Sequence, residues 1–85
     1  MNNDQKLNNK QTLYKTFASS LNIELNKVTD ELAYNTIAEW DSTAHMMWIS
    51  EIEGEFDVML DTDDIIDMSS VAKAQEILSK YDVIF

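Results

Sequence analysis

Asp41 stands immediately ahead of an amphipathic run, S-T-A-H-M-M-W-I-S-E-I-E-G-E-F, that opens with Ser42, and the two pose the first chemical question. Asp is a good N-cap, because its carboxylate accepts hydrogen bonds from the unpaired amides of a helix's first turn. Ser42 then takes the first helical position. A hydroxyl there has a specific use: the partial positive charge and free amides of a helix start tolerate a phosphate ester. The bare dipeptide is also a common cap and by itself names no chemistry.

Other residues invite chemistry and are weighed in turn. His45 lies three residues after Ser42 on the same helix. A Ser–His dyad needs an oxyanion hole and usually a third group to orient the base. No Gly-rich turn supplies the hole, so His45 is read as a packing residue near the helix start. Asp61 to Ala72 resembles a calcium loop in outline. The EF-hand pattern needs an oxygen ligand fifth, Gly sixth and Glu twelfth, and those positions hold Ile65, Ile66 and Ala72. No specific metal site is expected, only loose association of divalent cations with the acids. Met46 is expected in the core, Trp48 mostly buried on the flank of the apolar stripe, and Met47 pointing outward.

Composition bounds the rest. A chain of 85 residues makes one small domain with a modest core. Pro is absent and Gly occurs once, at Gly54, which favours helices joined by irregular loops over a turn-rich β fold. There is no Cys, hence no disulfide, thiolate metal site or Cys nucleophile. No apolar run approaches a membrane span, and residues 1–10 lack the apolar centre of a signal peptide. A soluble cytoplasmic protein, a monomer without membrane insertion, is the expectation. Sixteen acids oppose six lysines for a net charge of −10, and no Lys or Arg lies between Lys27 and Lys73. Such a field repels nucleic acid and attracts basic protein surfaces.

The elements that must position Ser42 are predicted to be helices. Residues 1–9 read as a flexible tail, and 10–85 as the domain. A first helix spans about Lys10 to Leu21, with Leu13, Tyr14, Phe17, Ala18 and Leu21 on its apolar face. Residues 23–40 form a long connection without clean periodicity, with a helical turn near Asp30 capped by Thr29. The second helix is Ser42 to Phe56, the third Thr62 to Asp67. The fourth is capped by Ser69 or Ser70 and runs to about Tyr81. The fold class is all-α: a four-helix bundle with a short third helix and a long first loop.

D-S-T followed by a helix closing in E-I-E-G-E-F-D resembles the acyl carrier proteins, whose signature is D-S-L and an L-E-x-x-F helix end. The resemblance runs from about Leu21 to Val71. It implies a 4'-phosphopantetheine arm on Ser42, with Asp41 as the preceding acid, and a thiol that holds acyl groups as thioesters. It also implies that Val28 and Tyr34 are buried and pin the first connection. The arm would come from coenzyme A through a phosphopantetheinyl transferase. Acyl ligases, synthases or acyltransferases with basic docking patches would then use it, in fatty-acid, lipid or secondary-metabolite synthesis. The chain itself is not expected to be an enzyme. Two rivals share or drop this chemistry: an aminoacyl or peptidyl carrier, and an acidic helical adaptor without the arm.

The sequence also departs from the family. Thr43 replaces the usual Leu, while Ala44, Met47 and Gly54 stand where acids are common. Thr43, Met47, Ser50 and Gly54 share the predicted outward face, and Ala44 borders it. The residues expected to meet partners are Thr43, Ala44, Met47, Ser50, Glu51, Glu53 and Gly54. The loss of charge near Ser42 implies a dedicated partner that contacts Met47 rather than the common fatty-acid enzymes.

Overall fold

Four stretches fold as α-helices in the computed structural model, which describes the backbone of residues 2–85 and the side chains of residues 4–85. They are α1 (Asn2–Leu21), α2 (Ser42–Phe56), α3 (Thr62–Asp67) and α4 (Val71–Ser79). A single 3-10 turn, Leu25–Lys27, sits in the first connection. No strand occurs among the described residues, only an isolated bridge between Ala33 and Ser70. The fold is an all-α bundle, as predicted.

α1 begins at Asn2 rather than near Lys10, so residues 2–9, expected as a tail, form its first turns; Met1 lies outside the described residues. The apolar pattern does not start until Leu13 because these turns overhang the core and are exposed from Asp4 to Asn8. Polar bonds hold them instead. Gln5 Nε2 donates to Asn9 Oδ1 at 3.0 Å, and Asn9 Nδ2 donates to the Ile84 carbonyl at 3.0 Å.

The core forms where α1, α2 and α4 meet. Leu13, Phe17 and Leu21 come from α1, Trp48, Ile49 and Ile52 from α2, and Val71, Ala74, Ile77 and Leu78 from α4. Its centre is aromatic: the Phe17 ring meets both Trp40 and Trp48 edge to face, each at 4.7 Å between centroids. Such pairs add about 0.5–1.5 kcal/mol beyond area burial. The polar end of Trp48 is satisfied, since its Nε1 donates to Thr16 Oγ1 at 3.1 Å.

Trp48 and Ile52, one turn apart, define the buried face of α2. That choice corrects two expectations. Met46, expected in the core, is 53 % exposed, and Ala44, expected at the outward border, is 8 % exposed. Burying a large indole at position 48 rotates the helix about its axis. Ala44, a turn before Trp48, goes in, and Met46 moves to the flank. Tyr34, also expected to be buried, is 40 % exposed and lays its ring against Trp40 and His45.

With one Gly in the chain, Asn and Asp supply the left-handed backbone. Asn22, Asn35, Asp57 and Asp82 all have φ between 54° and 69°. These residue types tolerate that region best after Gly. Two of them end helices and Asp82 ends the turn after α4, all in the same way. The amide after each reaches the carbonyl five residues back: Ile23 to Ala18, Val58 to Glu53 and Val83 to Leu78.

The connection from 22 to 41 is pinned as expected, but chiefly through Asp30. One carboxylate oxygen accepts from Tyr14 at 2.6 Å and Gln75 at 2.7 Å, and the other from Lys10 at 3.1 Å. Burial alone would raise the Asp30 pKa, but the three donors outweigh it and hold the carboxyl below its ordinary value. Burial, then the hydrogen bond to Asp30, pushes the Tyr14 phenol well up.

Candidate functional site

Asp41 caps α2 as the sequence predicts: its Oδ1 accepts from the Ala44 amide at 2.9 Å, and its carbonyl accepts from the His45 amide at 2.9 Å. Ser42 follows at the first helical position and is exposed. Among the described residues no protein group accepts from the amides of Ser42 and Thr43. No acid lies in the first turn of the helix. The exposed hydroxyl therefore stands beside free N–H groups at the positive end of the helix dipole.

Trp40 and His45 fix this corner. Trp40 Nε1 can only donate, so His45 Nδ1, at 3.0 Å, must be the acceptor. His45 Nε2 then carries the proton and donates to the Ile65 carbonyl at 2.9 Å. The imidazole thus ties the end of the first connection to α2 and α3. Both its nitrogens are occupied, which leaves neither to take a proton from Ser42. The structural role expected of His45 is the one seen, and its partners Trp40 and Ile65 could not be read from spacing.

Ser42 lies on the rim of a groove of about 290 Å³ between α2 and α3, lined by Tyr34, Ser42, His45, Met46, Ile65, Ile66, Met68 and Ser69. A second, shallower hollow shares Ser42 and Met46 and continues over Thr43, Met47 and Ser50. No charged residue lines either one. Residues this arrangement could offer to an attached arm are the Ser42 hydroxyl, the free first-turn amides and these apolar walls.

The predicted partner residues divide into two groups. Thr43, Met47, Ser50, Glu51 and Gly54 are exposed, and a Cβ added at Gly54 would meet nothing within 4 Å. Ala44 faces the core, and Glu53 is engaged at the other end of the helix, where its Oε2 accepts from the Leu60 amide at 3.0 Å. Those two do not belong to an outward face.

The acid run is also less bare than its sequence suggests. Lys80, which follows α4, and Lys73 of α4 reach across to α3, at 2.7 Å from Asp64 and 3.7 Å from Asp67. The Lys80 ammonium and then the Tyr81 hydroxyl hold the Asp64 carboxyl below its ordinary value. The hydrogen bond to Asp64 raises both Lys80 and Tyr81. No group of three or more His, Asp or Glu close enough to hold a metal ion occurs among the described residues.

Comparison with protein-family models, curated proteins and solved structures returned no match. Among the described residues no helix is long and apolar enough to cross a membrane.

Proposed function

We propose that this chain is a carrier domain that holds acyl intermediates on a 4'-phosphopantetheine arm esterified to Ser42. The observation that carries the reading is local. An exposed serine sits at the first position of a capped helix, beside unused amides, at the mouth of an uncharged groove. Attachment is a simple displacement. The Ser42 oxygen bonds to the phosphorus of coenzyme A that bears the pantetheine, the pyrophosphate bond breaks, 3',5'-ADP leaves, and a base on the transferase takes the hydroxyl proton. The residues present suit the product. The first-turn amides and the helix dipole favour the phosphodiester charge. The apolar walls favour the arm's methyl-bearing stem.

When bound, the arm supplies a thiol that carries acyl groups as thioesters. The protein's own part is to present that thiol, not to react, and the doubly bonded His45 fits a passive role. Its partners would be a phosphopantetheinyl transferase and then acyl ligases, synthases or acyltransferases. An amino acid or peptide cargo would use the same site. An acidic adaptor would use the fold without the arm.

The test is intact mass after incubation with coenzyme A and a broad-specificity phosphopantetheinyl transferase. One arm should be added to the parent and none to Ser42→Ala. Addition to the Ala variant, or none to the parent with several transferases, would sink the proposal.

A further inference from the structure

Ser20 of α1 is 9 % exposed, and its Oγ is the one covered side-chain oxygen or nitrogen without a hydrogen-bond partner among the described residues. An unpaired buried hydroxyl is costly, and native folds rarely leave one without a use. Ser20 borders a hollow of about 320 Å³ in the seam between α1 and α2, lined also by Ser19, Met47, Ser50 and Glu51. Met47 and Ser50 line the shallow hollow that starts at Ser42 as well. The two hollows thus make one track along α2. Ser42, Met46 and Ser50 stand four residues apart on one stripe of that helix. At about 1.5 Å of rise per residue, the track runs roughly 12 Å from Ser42 to Ser50.

The lining changes along the track in a definite order. Beside Ser42 it is apolar, with Met46 and Met47 about half exposed. Farther on it is rich in hydroxyls, from Ser50, Ser19 and Ser20, with the Glu51 carboxylate among them. Pantetheine has the same order. A carbon bearing two methyl groups stands close to its phosphate, and a hydroxyl and two amides follow before the thiol. A serine hydroxyl both donates and accepts, so it can serve either side of an amide, and a carboxylate can take the N–H. The groove between α2 and α3 offers an amide less. Both nitrogens of His45 are engaged there, and Met46, Ile65, Ile66 and Met68 form most of the remaining wall.

We infer that the resting arm lies along this track, its methyl-bearing carbon on Met46 and Met47 and its amides bonded by Ser50, Ser19 and Ser20. The inference rests on the carrier reading of Ser42. Ser20 Oγ is covered in the chain without an arm. Met47 is the wall that yields, because it lines both hollows and its unbranched side chain adapts to the shape it meets. The thiol is thereby held toward α1, away from the groove beside α3.

The experiment starts from isotope-labelled protein given an unlabelled arm by a broad-specificity phosphopantetheinyl transferase, with intact mass confirming one arm. Isotope-filtered NMR should show nuclear Overhauser contacts from the arm's methylenes to the Met47 methyl and the Ser20 Cβ protons. Melting temperature gives an independent reading. The arm should raise the parent's by about 2 to 5 °C, the scale of a net hydrogen bond in a domain of this size. Ser20→Ala should lose at least about half of that gain, while Ser69→Ala, in the other groove, keeps it. Without the arm, Ser20→Ala should melt no lower than the parent, since it gives up no bond. Arm contacts to Ile65 or Met68 instead, or none beyond Ser42 and Thr43, overturn the track. Equal gains in the parent and Ser20→Ala overturn the part given to Ser20, whose hydroxyl then serves an ordered water alone. A parent whose mass shows no arm overturns the carrier reading first, and this inference with it.

Discussion

Asp41 ahead of α2 and Ser70 ahead of α4 cap their helices alike, each side-chain oxygen accepting the amide three residues on, at 2.9 and 3.0 Å. Beyond the caps the two starts diverge. At α4 the first connection folds back and closes the helix end. The Val71 amide donates to the Leu32 carbonyl and the Ala72 amide to the Asp30 carbonyl, each at 3.0 Å. Val71 itself is fully buried. At α2 nothing in the described chain takes the equivalent amides, and the equivalent residue is the exposed Ser42. The same capping device therefore makes a structural joint in one place and an open attachment point in the other. What separates them is the path of the connection, not the local sequence of either cap.

The sharpest way to break that contrast is to shorten the residue after each cap. Val71→Ala removes two methyl groups from a fully buried site and should cost about 2 kcal/mol, in the range of large-to-small core changes. Ser42→Ala should stay within about 0.5 kcal/mol, as surface changes do, while abolishing arm addition. Urea denaturation at neutral pH reads both. A Ser42→Ala loss as large as that of Val71→Ala would make the start of α2 a joint as well.

The next test attacks what closes α4. Asp30 supplies a carbonyl to Ala72 and a carboxylate to Tyr14, Lys10 and Gln75, so it fastens the connection to α1 and α4 together. Its side chain is 36 % exposed. Asp30→Asn should therefore cost about 1 to 1.5 kcal/mol, the low end for hydrogen bonds to a charged group. The pH dependence has a fixed sign. A carboxyl whose folded pKa lies below its ordinary 3.8 contributes stability above that value and loses it as pH falls through the folded pKa. The gap between parent and Asn variant should be full at pH 6 and shrink below about pH 4. A gap that stays constant down to pH 2.5 would show that the amide bonds, not the charge, do the fastening.

Much of this was legible from residue pattern, and the failures have local causes. Ser42–Phe56 starts where its Asp41 cap predicts, because capping is decided within four residues, and Thr62–Asp67 also folds with its predicted bounds although Asp61 makes no side-chain cap there. The start of α1 was not legible, since helix without an apolar face leaves no period to read. Neither was the rotation of α2. Position 48 could be assigned to the flank or the centre, and only the edge-to-face packing of Trp48 against Phe17 and Trp40 decides it. That rotation puts Ala44 inside and joins Met46 to Ile66 across the groove. Asp30 and the Trp40–His45–Ile65 link rest on partners 16 to 45 and 5 to 20 positions away, and periodicity carries no such information.

The smallest effect concerns charge, and it sets the two helices against each other along their length. Around α4, Lys73 and Lys80 answer Asp67 and Asp64. On α2, Glu51 and Glu55 are exposed, and no salt bridge reaches either among the described residues. Self-repulsion should thus be concentrated on the α2 side. Raising ionic strength from about 0.01 to 0.2 M shortens the screening length from about 30 Å to below 10 Å. That should lift the melting temperature by a few degrees, corresponding to about 0.5 kcal/mol in a domain of this size. Neutralising single acids locates the source. Glu51→Gln at low salt should stabilise by about 0.2 to 0.5 kcal/mol, the scale of exposed charge pairs, and make the protein less salt-sensitive. Asp67→Asn removes an attraction along with a repulsion and should change stability little or slightly for the worse. If Asp67→Asn stabilises as much as Glu51→Gln, Lys73 and Lys80 are not compensating α3, and the two sides do not differ in charge as their geometry implies.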